Sequence, residues 1–250
     1  MTRADLSCDL GEASNAEERA TELALWPLVD GANVACGGHA GDDASMREAA
    51  ALARRHGVRL GAHPSFPDRE GFGRKKIEIA DEELVASLAR QIGSLRAIAA
   101  GEGIRLERVK AHGALYNLAH RDAALARLLA RAVAEAAPEA AIVSPAGSTM
   151  EIAARERGLA VMREAFADRR YLADGALVPR SDAGALLEDP AEAAAQAVSL
   201  ATRGTAIAID GREIAVPHDT LCIHSDMRGA VERLRSIRAA LAAAGVALSR

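Results

Sequence analysis

ANVACGGHAGDDASMREAAALARRHGVRLGAH, residues 32–63, holds the pattern on which the fold is decided. An apolar segment at 32–36 runs into a glycine-rich turn, a helix is expected over 43–55, and a second apolar segment follows at 58–63. Asp42 or Asp43 supplies the helix cap. Gly37, Gly38 and Gly41 permit the positive φ and close backbone approach that so short a turn needs around His39.

The same strand-helix step recurs along the chain. Short apolar segments ending in polar residues lie at 6–9, 32–36, 58–63, 106–112, 141–146, 158–165 and 220–226. Helices are expected at 18–29, 43–55, 81–101, 121–136, 148–156, 190–203 and 227–244. Seven such steps in 250 residues predict an α/β barrel occupying residues 1–250 as one domain. AIAIDGREIAV, residues 206–216, breaks the alternation: two alternating runs flank Asp210-Gly211 and predict a small β-hairpin inserted before the last strand. Two long irregular segments, 64–76 and 166–187, are of the length that usually carries function.

Composition narrows the partners. A net charge of -4 leaves no surplus of Lys and Arg to meet a phosphate backbone, so nucleic acid is not expected. No run of 18 uncharged apolar residues marks a membrane span, and the first residues lack the apolar core of a signal peptide. A cytoplasmic location is the expectation. Cys8, Cys36 and Cys222 are odd in number and far apart, which argues against a disulfide scaffold.

The chemistry-bearing residues collect at the ends of the apolar segments. Asp9 ends the first, Cys36 and His39 follow the second, His63 ends the third, Lys110 and His112 the fourth, and His224 with Asp226 the last. In a parallel barrel those ends form the face where sites are built. Asp9, His39, His63, His112 and His224 could supply oxygen and nitrogen to a divalent metal, or could act as acid and base without one. Lys110 shares strand parity with His112 and suits an anionic substrate as a point charge. Glu12 offers a second carboxylate, and Arg74, Arg169, Arg170 and Arg180 lie in the two long loops where they could hold an anion. His56 and His120 fall at helix ends. Cys36 is expected to be a packing thiol. The glycines of 37–41 match neither phosphate-loop pattern.

DLSCDLGE at 5–12, ANVACGGHAGD at 32–42, GAHPSFPDREGFGR at 61–74, VKAHGALYN at 109–117, FADRRYLADGALVPR at 166–180 and TLCIHSD at 220–226 together resemble the LamB/YcsF family, in order and spacing. The resemblance implies an incomplete TIM barrel of the glycoside hydrolase/deacetylase kind. It also implies an activity: hydrolysis of 5-oxo-L-proline to L-glutamate in concert with separate 5-oxoprolinase subunits B and C. ATP is then a cosubstrate of the complex, with Mg accompanying the nucleotide or a divalent ion bound at the site itself.

Carried over motif by motif, the site comprises Asp9, Glu12, His39, Asp42, His63, Lys110, His112, His224 and Asp226. In this reading Asp9 or His63 activates water and His112 or His224 donates a proton. Glu12, His39, Asp42, Lys110, Arg74, Arg180 and Asp226 bind substrate. Neither nucleic acid nor membrane enters, and a homo-oligomer is compatible. A stand-alone metal-dependent deacetylase or sugar hydrolase, and a noncatalytic scaffold protein within the complex, are the competing readings. The chain departs from the family pattern at Ser7, Gly38, Ala111 and Ser225, where Asn, Phe, Pro and Gly are common. At Gly38 the lost ring is expected to widen the pocket beside His39.

Overall fold

The computed structural model describes residues 2–249. In chain order the elements are β1 (Arg3–Ala4), β2 (Leu6–Leu10), α1 (Ala16–Leu25), β3 (Gly31–Ala35), α2 (Asp43–His56), β4 (Arg59–His63), α3 (Asp81–Gly101) and β5 (Leu106–Lys110). Then come α4 (Gly113–Ala119), α5 (Ala123–Ala136), β6 (Ala141–Ser144), α6 (Thr149–Glu156), β7 (Val161–Phe166) and α7 (Pro190–Arg203). β8 (Thr205–Ile207), β9 (Glu213–Ala215), β10 (Thr220–Ile223), α8 (Ala230–Ala243) and β11 (Ala247–Leu248) complete the chain. None of the described helices is long and apolar enough to cross a membrane.

Seven parallel strands hydrogen-bond in the order β10-β2-β3-β4-β5-β6-β7, and the ring closes between β7 and β10. The architecture is therefore the α/β, seven-stranded, TIM-barrel-like one expected, one strand short of eight. The strands read as near-continuous apolar runs because both of their faces are covered, as in β3, which is buried throughout. Helix starts follow local chemistry. Asp42 caps α2 through Ser45 in a reciprocal box, Asp122 caps α5, Ser148 caps α6, and Asp189 precedes the N-terminal Pro190 of α7.

By packing, the chain divides into two compact units, each discontinuous in sequence. One comprises Asp9–Ser14 with Gly31–Arg163; the other comprises the chain up to Cys8, Asn15–Asp30 and the chain from Glu164 onward. In the first, β3 and β4 pair in register from Gly31↔Arg59 to Ala35↔His63, and β4 pairs with β5 across an irregularity at Leu60/Gly61. Arg108 of β5 is fully buried there. A Cβ at Gly31 would lie 2.7 Å from the Arg108 Cζ, and one at Gly61 would press on its stem, so these two glycines make room for the buried side chain. Gly31→Ala is expected to lower stability by about 1–3 kcal/mol, the usual cost of overpacking. An unchanged urea midpoint in that variant would show that Arg108 has slack.

In the second unit, α7 packs on α8, and β10 pairs with the first part of β2 and the last part of β7. The expected hairpin is present as β8 and β9, but its loop is wider than a two-residue turn. Ala208 N–H donates to the Arg212 carbonyl, Gly211 N–H donates to the Ala208 carbonyl, and Gly211 takes the left-handed conformation at φ 88. That is a three-residue loop closed by a glycine bulge. Two features were not expected. β1 pairs with β11 across two residues, and α4 occupies Gly113–Ala119 ahead of α5.

Candidate active site

One unit carries Asp9, Glu12, Asn33, His39, His63, Lys110 and His112. Asp9 lies near the end of β2, and Glu12 follows Gly11, whose φ of 78 turns the chain out of the strand. His63 and Lys110 are the last residues of β4 and β5, and His112 sits at the cap position of α4. His39 projects from the glycine turn after β3, a turn closed by Gly37 N–H donating to the Ala40 carbonyl at 2.8 Å. Strand parity therefore delivers Lys110, and the turn after it His112, to one cluster, as the sequence spacing suggested.

Two carboxylates organise the cluster. Asp9 accepts from Asn33 Nδ2 at 2.9 Å and from Lys110 Nζ at 2.9 and 3.1 Å, and its Oδ2 lies 3.3 Å from His63 Nε2. Burial opposes ionisation of Asp9, but His63 and Lys110 outweigh it and hold the carboxyl well below its ordinary value. Glu12 Oε1 is a hub, 2.8 Å from His39 Nε2, 3.2 Å from His112 Nδ1 and 3.6 Å from His63 Nε2. Burial pushes its carboxyl up, while His112 and His39 pull it well below the usual range. The histidines split in opposite directions. Burial takes His39 down to about 4 despite Glu12, whereas at His63 the burial penalty is overcome by Asp9 and the imidazole is raised. Near neutrality His39 is therefore uncharged, while Asp9 shifts His63 toward its protonated form.

Backbone carbonyls fix where the outer protons sit. His63 Nδ1 is 2.7 Å from the Lys110 carbonyl oxygen, and His112 Nε2 is 3.0 Å from that of Phe72. A carbonyl only accepts, so both nitrogens carry hydrogen. The inner atoms, His63 Nε2 and His112 Nδ1, face each other at 3.1 Å. His39 stacks on His112 with ring centroids 3.6 Å apart and planes 3° from parallel. Its buried Nδ1 has no hydrogen-bond partner among the described residues.

Glu12, His39, His63 and His112 each present a ligand atom within 4.8 Å of the others, so the cluster could hold a metal ion. Three imidazoles and a carboxylate are donors for a divalent transition metal, and carbonyls that pin the outer nitrogens leave the inner ones to bind it. Parallel rings 3.6 Å apart cannot both aim in-plane lone pairs at one ion. A four-donor site thus requires the His39–His112 stack to open; Glu12, His63 and one ring of the stack require no such change. Asp9, a metal candidate from sequence, is instead committed to Lys110 and Asn33.

The second unit holds His224 and Asp226. Asp168, fully buried, accepts from His224 N–H and from His224 Nδ1, each at 2.8 Å, and Phe166 stacks on the ring. Nδ1–H is thereby fixed, and Nε2 is the nitrogen left to exchange protons. Asp226 pairs with Arg180 at 2.7 Å. Arg169 donates to the Val178 carbonyl and Arg170 to Glu192, so the arginines of this loop have protein partners.

Burial would raise the Asp168 carboxyl, but His224 holds it below its ordinary value. A depressed folded-state pKa contributes stability above the unfolded value, about 3.9, and loses it as pH falls through the folded value. Asp168→Asn should therefore cost about 1–3 kcal/mol at pH 7, a deficit that shrinks below about pH 4. Equal deficits at both pH values, read from urea midpoints, would contradict this.

Asp42 is the exposed cap of α2, its carboxylate accepting from Ser45 N–H. Arg74 lies over the Phe72 ring, 5.0 Å from its centroid. Burial pushes the Cys36 thiol up to about 12, consistent with a packing role. His56 and His120 end helices. The expectation that Gly38 widens the pocket is overturned. A Cβ there would collide with Gln91 Oε1 and Ser65 Oγ, so the space is already filled by Gln91, which holds Ser65 through two backbone hydrogen bonds of 3.0 Å. Asn33, Asp168 and the Phe72 carbonyl lie outside the sequence expectations. Asn33 carries a signal, a polar residue in the middle of an apolar strand; Asp168 is masked by the two arginines that follow it.

Residues 4–250 match the LamB/YcsF family. The chain is 46% identical over 248 residues to the A-subunit of 5-oxoprolinase from Symbiobacterium thermophilum, covering 99% of this chain and 95% of that protein. It is 46% identical over 246 residues to the protein of the same name in Chloroflexus aggregans, covering 98% of each. The crystal structure of a lactam utilization protein from Thermus thermophilus superposes with a TM-score of 0.91 at 44% identity, covering 98% of both chains.

Proposed function

The chain belongs to the LamB/YcsF family, and from that premise we propose that it is the A-subunit of a 5-oxoprolinase, opening the lactam of 5-oxo-L-proline to L-glutamate with subunits B and C at the expense of ATP. The observation that carries this reading is the buried Asp9–Lys110–His63–His112–Glu12 cluster at strand ends. A five-membered lactam is a stabilised amide, and opening it demands an activated carbonyl, a positioned water and a proton for the departing nitrogen.

Phosphorylation of the lactam oxygen by ATP supplies the carbonyl activation and releases ADP, and that step is assigned to the partner subunits; water attack and C–N cleavage then leave an acyl phosphate, which a second water hydrolyses to glutamate and inorganic phosphate. Asp9, kept ionised by His63 and Lys110, orients the water and accepts its proton. His63, which Asp9 shifts toward its protonated form, and His112, 3.1 Å from it, carry a proton to the nitrogen. Lys110 supplies the positive charge that draws in the substrate carboxylate. Were Glu12, His63 and a ring of the His39–His112 stack to hold a divalent ion instead, the ion would supply a Lewis acid for the carbonyl, and His63 would serve as a ligand rather than as a proton carrier.

The same donor set favours a second reading, a stand-alone metal-dependent hydrolase. Omission separates the two. The purified chain is mixed with subunits B and C, ATP and 5-oxo-L-proline, and glutamate is followed as each component is left out. Glutamate only from the complete mixture supports the 5-oxoprolinase reading. Hydrolysis by the chain alone, without ATP, supports the other.

A further inference from the structure

We infer that Phe72 is a positioning residue for His112: its left-handed backbone turns its carbonyl onto His112 Nε2 and so holds Nδ1 toward Glu12 and His63. The inference deepens the proposed function and, in its kinetic part, rests on it. Phe72, at φ 54, is the one non-glycine residue with positive φ among those described. A side-chain-bearing residue adopts that region at a cost and stays there only where its surroundings over-determine it.

The surroundings are specific. Phe72 N–H donates to the Arg69 carbonyl at 3.2 Å and Gly73 N–H to the Asp68 carbonyl at 2.8 Å. The loop is then tied to the β5–α4 junction, because His112 N–H donates to the Pro64 carbonyl and Ala114 N–H to the Gly73 carbonyl, each at 2.9 Å. Gly73 can be nothing larger: a Cβ there would lie 3.0 Å from His39 Cβ and 3.2 Å from His112 Cδ2. The Phe72 ring meets both stacked imidazoles edge-on, 5.2 Å from His39 and 5.3 Å from His112.

Were the carbonyl to swing away, Nε2–H would lose its acceptor, and the His112 ring would be free to turn or to exchange tautomers. The Nδ1 directed at Glu12 Oε1 and His63 Nε2 would then no longer be defined. A backbone atom thus selects the working nitrogen, whether that nitrogen handles a proton or a metal.

The ring and the carbonyl are separable by substitution. Phe72→Gly and Phe72→Val both remove the ring, but glycine adopts positive φ freely and a β-branched residue resists it. Phe72→Asn removes the ring and tolerates the left-handed region. In 15N-histidine-labelled protein, with His112 assigned by its loss in His112→Gln, long-range 1H–15N correlation should show a protonated Nε2 in the wild type, Phe72→Gly and Phe72→Asn. Phe72→Val should lose that single state.

In the complete mixture, Phe72→Val should lower kcat by about 30- to 100-fold with KM changed less than about threefold, the scale of a misplaced catalytic group. Phe72→Gly and Phe72→Asn should lose only about three- to tenfold, from the missing ring. A bare His112 Nε2 in the wild type, or equal losses in the Gly, Asn and Val variants, would overturn the inference. A mixture without turnover and a protonated Nε2 as expected would remove the proposed function while leaving the positioning role intact, because the spectrum does not depend on activity.

Discussion

Asp9→Asn lowers kcat for glutamate formation by about 10²- to 10⁴-fold, the range expected when a positioned acid–base group is removed. Asparagine keeps the size of the side chain and a hydrogen bond to Asn33 but cannot accept a proton from water. The substitution acts twice. It also removes the charge that raises His63, so burial and the Lys110 charge pull that imidazole down and it gives up its proton at lower pH. Turnover that does survive should therefore decline at lower pH than in the wild type as pH is raised. KM should change little, because substrate binding rests on Lys110. Steady-state kinetics of the complete mixture across pH checks both parts; a kcat within about threefold of the wild type would remove Asp9 from the mechanism.

Lys110→Met is expected to produce the largest loss of stability of any substitution at the site. The Lys110 side chain is only 4% exposed and its Nζ lies 2.9 Å from Asp9. Breaking a buried ion pair from one side leaves the other charge without its counter-ion, at a cost of about 3–5 kcal/mol. For a chain of this size that corresponds to a fall in Tm of roughly 6–20 °C. The double variant Asp9→Asn/Lys110→Met should be more stable than Lys110→Met alone, since the stranded charge is gone as well. Additive losses in the thermal melts would mean that the pair is not coupled, and that His63 and Asn33 suffice to hold Asp9.

The barrel was legible because both of its periodicities are local. An apolar run such as ANVAC and a capped amphipathic run such as 43–56 each announce themselves within a few residues, and their alternation repeats seven times. What escaped was structure whose cause is distant in sequence. α4 is seven residues long, begins on a left-handed Gly113 held against the Gly73 carbonyl, and has no periodicity of its own. The β1–β11 pair joins the two ends of the chain.

The site shows the same division. Asp9, His39, His63, Lys110 and His112 could be gathered from strand ends alone, and the structure unites them. Which nitrogen of each histidine faces inward could not, because it depends on carbonyls of residues 40 or more positions away in sequence. Nor could the consequence of Gly38 be read from its neighbours. Gln91, 53 positions further along, occupies the volume that a ring would have filled.

The most direct test of the central claim, that this cluster opens the lactam, is single-turnover release of glutamate from 13C-labelled 5-oxo-L-proline. The chain carrying both Asp9→Asn and His63→Gln would be assembled with wild-type subunits B and C and ATP. The expected result is that the complex still assembles and that glutamate release falls by at least about a hundredfold. Glutamate release at the wild-type rate from that assembled complex would contradict the claim and leave the chain a scaffold.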